Sequence, residues 1–221
     1  MSFFVFLTGF FTGFALASSA MAQQPALAQL YPAAPPAGSS FVRVVNPLQE
    51  SVKFSLSGMD ESKPISAHGN IASSYKIVNP DKPLQIGVNG KVLPDAIAIE
   101  PNKFLTLVLG RNGETFKVTV IPDATQGNNA LKADLRAYNL TSGCVSTIIA
   151  NKETKVFTDI PVGGSSRRMV NPISVEFVAQ CGKTMSEPLA APPLQPGSRY
   201  SLFVTGNETN LALTGKTDTV D

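Results

Sequence analysis

The chain has 221 residues and a formal net charge of +2, with 18 basic and 16 acidic side chains scattered along its length. Scattered, balanced charge argues against nucleic acid as a partner, which would need a clustered basic face. Seventeen Pro, seventeen Gly and no Trp, beside frequent Val, Thr, Ser and Ile, argue for short strands joined by tight turns rather than helices.

In chain order, "FFVFLTGFFTGFALA" (3–17) is an uncharged apolar run, followed by an A-x-A sequence at residues 20–22. That pattern predicts a cleavable secretory signal peptide over 1–22, hence an exported protein. The run is short and interrupted for a membrane span. It also lacks the usual basic residue before it, so an uncleaved anchor is the alternative. A Pro-rich segment, 23–38, should be an extended connector.

From residue 39 onward the sequence repeats itself, an early signal to look for. "SSFVRVVNP" (39–47) is echoed by "ADLRAYNLT" (133–141), setting Arg43 and Asn46 against Arg136 and Asn139. "VKFSL" (52–56) then lies against "VSTII" (145–149), and "SSYKIVNP" (73–80) against "SSRRMVNP" (165–172). "VNGK" (88–91) lies against "QCGK" (180–183), and "PNKFLTLVLG" (101–110) against "PGSRYSLFVTG" (196–206). Two related domains follow, 39–122 and 133–221, joined by a polar linker, 123–132.

Each half reads as strands. Val42 and Val44 share one face, as do Leu135 and Ala137 in the second copy, while Val52, Phe54 and Leu56 alternate with Lys53 and Ser55. Asn89-Gly90 between two apolar stretches predicts a type I′ hairpin, and Asn112-Gly113 marks the turn of a second. The expected fold is all-β: two tandem immunoglobulin-like antiparallel β-sandwich domains.

Two cysteines in an exported chain suggest one disulfide, Cys144–Cys181, with two free or buried thiols as the alternative. The repeat sets Cys144 against Ser51 and Cys181 against Asn89, so the staple would belong to the second domain alone. No C-x-x-C pair accompanies it, which favours a structural over a redox role.

Catalytic constellations are not found. The single histidine, His68, is in a loop, and no G-x-S-x-G elbow occurs. One His and two Cys are too few for a closed zinc site, and "VGGSS" (162–166) lacks the Lys of a phosphate loop. No catalytic residue, metal or cofactor is therefore assigned. What remains is surface: Arg43, Tyr75, Arg136, Tyr138, Arg167 and Arg168 form a candidate partner or glycan surface, because Arg and Tyr are favoured in recognition.

"LYPAAPPAGSSFVRVVN" (30–46), with "LRAYNL" (135–140), "VNPISVEF" (170–177) and "LFVTG" (202–206), resembles the AlgF family of alginate O-acetylation proteins. The resemblance runs through both halves. It implies an exported, non-catalytic accessory protein bridging a membrane-bound O-acyltransferase and periplasmic SGNH-type acetyltransferases, with the polysaccharide as a further candidate partner. Related proteins accompany cellulose synthesis, so the polymer is alginate or cellulose. A stand-alone carbohydrate-binding module and a pilus-type chaperone are the alternative functions.

Overall fold

The computed structural model describes residues 37–57, 59–60, 62, 64–125 and 129–221. The signal peptide (1–22) and most of the Pro-rich segment (23–38) lie outside the described residues. Sixteen strands make up the described elements, with no helix among them.

The first half contains β1 (Ser40–Val45), β2 (Phe54–Leu56), β3 (Lys76–Val78), β4 (Ile86–Val88), β5 (Lys91–Val92), β6 (Phe104–Asn112) and β7 (Thr115–Asp123). They form a sheet β3-β1-β6-β7 and a smaller sheet β2-β4-β5. In the second half are β8 (Ala133–Asn139), β9 (Ser146–Ala150), β10 (Thr154–Ile160), β11 (Ser165–Val170) and β12 (Glu176–Cys181). β13 (Thr184–Met185), β14 (Leu189–Ala190), β15 (Arg199–Gly206) and β16 (Leu211–Thr217) complete it. Its sheets are β11-β8-β15-β16 and β10-β9-β12-β13, with β14 on the far part of β12. The two halves thus share one topology. Where the second half has the pairs β9–β10 and β12–β14, the described residues of the first show the single bridges Val52↔Ile65 and Leu84↔Ile97.

The fold is all-β with two sandwiches, as the alternation predicts, but not wholly antiparallel. β1 runs parallel to β6, and β8 parallel to β15. These pairs are central, and every residue of β1 and β8 is buried. Strands covered on both faces are where parallel neighbours are ordinarily found. β7 ends at Asp123, one residue into the stretch predicted as linker.

Turn chemistry fixes the two hairpins of the first half. Asn89 and Gly90 have φ of 50° and 76°, the pair of positive values that a type I′ turn demands. In the second hairpin Asn112 is still in β6, opposite Thr115, so Gly113 and Glu114 make the turn. Gly113, at φ 61°, takes the first central position, as in type II′ turns.

Each sandwich has its own core. Val42, Val44, Phe54, Ile86, Leu105 and Leu107 fill the first. Leu135, Ala137, Ile148, Phe177, Leu202 and Val204 fill the second, together with Cys144 and Cys181. Those two cysteines are joined in a disulfide, with Cα atoms 5.9 Å apart.

Candidate functional site

Alternation along β1 sends Val42 and Val44 into the first core and Phe41, Arg43 and Val45 to the opposite face. In β8 the same rule turns Asp134, Arg136 and Tyr138 away from the second core. These two opposite faces meet each other rather than solvent. Val45, Val108 and Ile121 of the first domain share a buried cluster with Tyr138 and Phe203 of the second.

This overturns part of the predicted recognition surface. Arg43, Tyr75, Arg136 and Tyr138 are only 1–2% exposed and form the joint between the domains. Arg167 is half-buried, its Nε donating to Asp134 Oδ1 at 2.7 Å. Only Arg168 is exposed, and its Nη1 donates to the Val156 carbonyl at 3.2 Å. Charged and aromatic side chains on a sheet face look alike in sequence whether the face meets water, a partner or another domain of the same chain.

The joint follows the repeat. Arg43 stands opposite Thr106 in the β1–β6 ladder, and Arg136 opposite Ser201 in the β8–β15 ladder. Arg43 crosses to the second domain, where Nη1 lies 2.6 Å from Asp218 Oδ1 and Nη2 donates to Ser201 Oγ, while Nε donates to Thr106 Oγ1 of its own domain. Its guanidinium also sits 4.7 Å from the Tyr75 ring centre and 5.0 Å from that of Tyr138, within cation–π range. Asp123, the first-domain counterpart of Asp218, accepts the hydroxyls of Tyr75, Thr106 and Tyr138. Arg136 approaches it at 4.0 Å.

Each domain therefore offers an Arg and an Asp to the other, the reciprocal pattern of a two-fold dimer interface within one chain. The reciprocity is not exact, because Arg136 donates instead to Asp134 Oδ2 and the Ala124 carbonyl. Beyond β16 the chain crosses over. Tyr75 N–H donates to the Thr219 carbonyl, and Asp221 N–H to the Tyr75 carbonyl.

Burial alone would lower the Arg43 pKa, but Asp218 facing it, with the tyrosines and Asp123, holds it above the ordinary value. Burial pushes the Tyr138 phenol up to about 12, with Arg43 pulling the other way. The joint is thus a set of fixed charges paired from within, except that the buried Arg136 Nη1 has no hydrogen-bond partner.

The repeated asparagines lock loops. Asn46 Nδ2 donates to the Glu50 and Ile65 carbonyls, and Asn139 Nδ2 to those of Cys144 and Ile160. His68 is exposed, and its ring partner is Gln49 rather than a serine. Among the described residues no group of three or more His, Cys, Asp or Glu could hold a metal ion.

Open surface is concentrated elsewhere. A cleft of about 630 Å³ lies between β5 with its following loop and the β6–β7 hairpin. Val92, Leu93, Ile97, Phe116 and Val118 form its apolar lining. Arg111 borders it, lying 3.8 Å from the Phe116 ring centre and held by both carboxylate oxygens of Glu50. In the second domain the matching strand β16 is closed over its sandwich: Leu211 is buried in the core, with Leu213 and Leu189 packed against it.

Two sandwiches joined by a buried charged seam define a tandem β-sandwich protein. Comparison with known proteins names the group. The model of the AlgF family, described as "Alginate O-acetyl transferase AlgF", matches residues 13–201, and the chain belongs to this family. The "Alginate biosynthesis protein AlgF" of Pseudomonas putida is 28% identical over 81% of this chain and 79% of its own length. That of Pseudomonas fluorescens is 25% identical over 84% of this chain and 81% of its own. Among solved structures, the C-terminal domain of AlgF from P. aeruginosa is 27% identical, covering 39% of this chain and 98% of that one, with a TM-score of 0.35.

Proposed function

We propose that this protein is an exported accessory component of polysaccharide O-acetylation, with alginate as the polymer. It would hold a membrane-bound O-acyltransferase and periplasmic SGNH-type acetyltransferases together rather than transfer acetyl itself. The observation that carries the reading is the family match, which covers the first sandwich and most of the second. Alginate is favoured over cellulose because the curated relatives bear alginate names. An accessory role is supported by the use of the conspicuous Arg and Tyr residues in joining the domains, and by the engagement of His68 with Gln49.

The test is hydroxylamine-releasable acetyl ester on the polymer from a strain lacking the gene, alongside total polymer yield. Lost acetyl at normal yield supports the reading; unchanged acetyl overturns it. His68→Ala in the complemented strain separates accessory from enzyme. Acetylation at the wild-type level is expected, and its loss would make His68 a candidate base.

A further inference from the structure

The joint between the sandwiches holds more positive charge than its own acids balance. Arg43, Arg136, Arg167 and Arg199 meet there with only Asp123, Asp134 and Asp218. None of these side chains is more than 14% exposed, so water screens the excess poorly. Arg43 has Asp218 at 2.6 Å, and Arg167 has Asp134 at 2.7 Å. Arg136 holds the second oxygen of Asp134 at 3.0 Å and stands 4.0 Å from Asp123. Arg199 is left over: its Nε is 3.8 Å from that same Asp134 Oδ2, which already accepts from Arg136.

The residues outside the description do not hold the missing charge. Residues 1–36 and 126–128 contain no Asp or Glu. Ser62, next to Glu61, is hydrogen-bonded to Phe54 on β2, in the sheet across the first core from the joint.

Donors are unmet as well as charge. Arg136 turns Nε and Nη2 to Asp134, while Nη1, on a guanidinium only 3% exposed, has no partner. The Arg199 side chain makes no hydrogen bond to a described residue and lies 4.9 Å from the Phe104 ring centre. Both arginines stand on one face of neighbouring strands, since the β8–β15 ladder sets Asp134 against Arg199 and Arg136 against Ser201. They feel each other: burial first, and then the Arg136 charge, lower the Arg199 pKa. A buried donor without an acceptor costs more than its bond ordinarily contributes.

We propose that Arg136 and Arg199 form a binding site for a carboxylate monoanion, which accepts from Arg136 Nη1 and from the Arg199 fork at the rim of the joint. One negative charge balances the four arginines, whereas a dianion would overshoot beside Asp123 and Asp134. Two coplanar oxygens match a guanidinium fork, which a spherical halide does not. A free carboxylic acid and a uronate of a sugar chain share this chemistry. The site stands apart from the accessory reading, and its test does not pass through acetylation.

The test titrates isotope-labelled acetate into the purified protein at constant ionic strength, followed by NMR and by melting temperature. Saturable binding of one acetate per chain is expected, tighter than chloride or sulfate, with the melting temperature rising as the site fills. Arg199→Gln should weaken acetate binding by about tenfold, the loss of a charge-assisted hydrogen bond. In acetate-free buffer it should not lower the melting temperature, because it removes the unbalanced charge. Arg199→Lys, which keeps the charge and loses the fork, should weaken binding likewise if the glutamine variant does not fold. Arg168→Gln, on the exposed face, should change nothing. Chloride binding as tightly as acetate would mean an adventitious ion only and overturn the proposal. Tighter sulfate, no saturable acetate, or binding unmoved by both Arg199 variants would overturn it too. Alginate oligomers then separate the sources: displacement of acetate assigns the site to a uronate of the polymer, and no displacement assigns it to a free acid.

Discussion

The two domains are built on one repeat, yet they keep and discard different parts of it. Both keep the Arg, Asp and Asn positions: Arg43 and Arg136, Asp123 and Asp218, Asn46 and Asn139. The first two pairs join the domains, and the third fixes a loop in each. What differs lies away from the joint. Where the second domain carries the Cys144–Cys181 disulfide, the first has a hydrogen bond from Lys53 N–H to Asn89 Oδ1 at 2.9 Å. Where β16 buries Leu211 in the second core, β7 has the half-buried Phe116 packed on the first, beside a cleft. The retained Arg and Asp positions serve the union of the domains, and the divergent ones lie away from it.

Breaking the shared joint should cost most. Arg43→Ala leaves Asp218 buried without its cation and is expected to destabilise the protein by about 3–5 kcal/mol, measured by urea unfolding. Arg136→Ala should cost clearly less, because Asp134 keeps Arg167 and Asp123 keeps its three hydroxyl donors. Equal losses would show that the reciprocity is functional in both directions.

Next in size is the staple that one domain has and the other lacks. The disulfide closes a sequence separation of 37 residues, so reduction should cost up to about 4 kcal/mol on the chain-entropy account. Hydrogen exchange should quicken in β9 and β12 while β2 and β4 keep their protection. A uniform change across both domains would mean that they unfold as a single unit.

Asn46→Ala and Asn139→Ala each orphan two loop carbonyls, for an expected loss of about 1–3 kcal/mol apiece. Thermal unfolding of the single and double variants should show near-additive effects, as their sites are in different domains.

The smallest effect emerges only in alkali. Tyr138 titrates near 12 in the folded chain against 10.0 for an ordinary phenol, and burial is the main cause. A raised pKa means the folded state favours the neutral phenol. Its contribution is therefore complete below about pH 10 and is lost as pH rises toward 12. Tyr138→Phe should flatten this alkaline limb in a melting-temperature profile. Tyr75, raised for the same reason, should account for part of what remains.

Much of the fold was legible because it rests on local rules. The alternation of Val42, Arg43 and Val44 gives a strand with two unlike faces, and Asn89-Gly90 gives its turn from backbone preference alone. The second hairpin turn slipped by one residue because Gly113 can serve at either central position, and only the register of Asn112 against Thr115 decides. The candidate site was less legible. Arg43 and Tyr138 carry the composition of a recognition surface, and they do recognise something, but their partner is the other half of the same chain.

The sequence by itself determined the strands, the duplication, the disulfide pairing and the family, since each depends on residue type and spacing along the chain. Only the tertiary structure decided that β1 and β6 run parallel and that the arginine faces are closed on each other. Those outcomes depend on how whole sheets are placed. The same Arg-Tyr pattern satisfies its charges equally well against water, a partner or a second domain, until packing chooses among them.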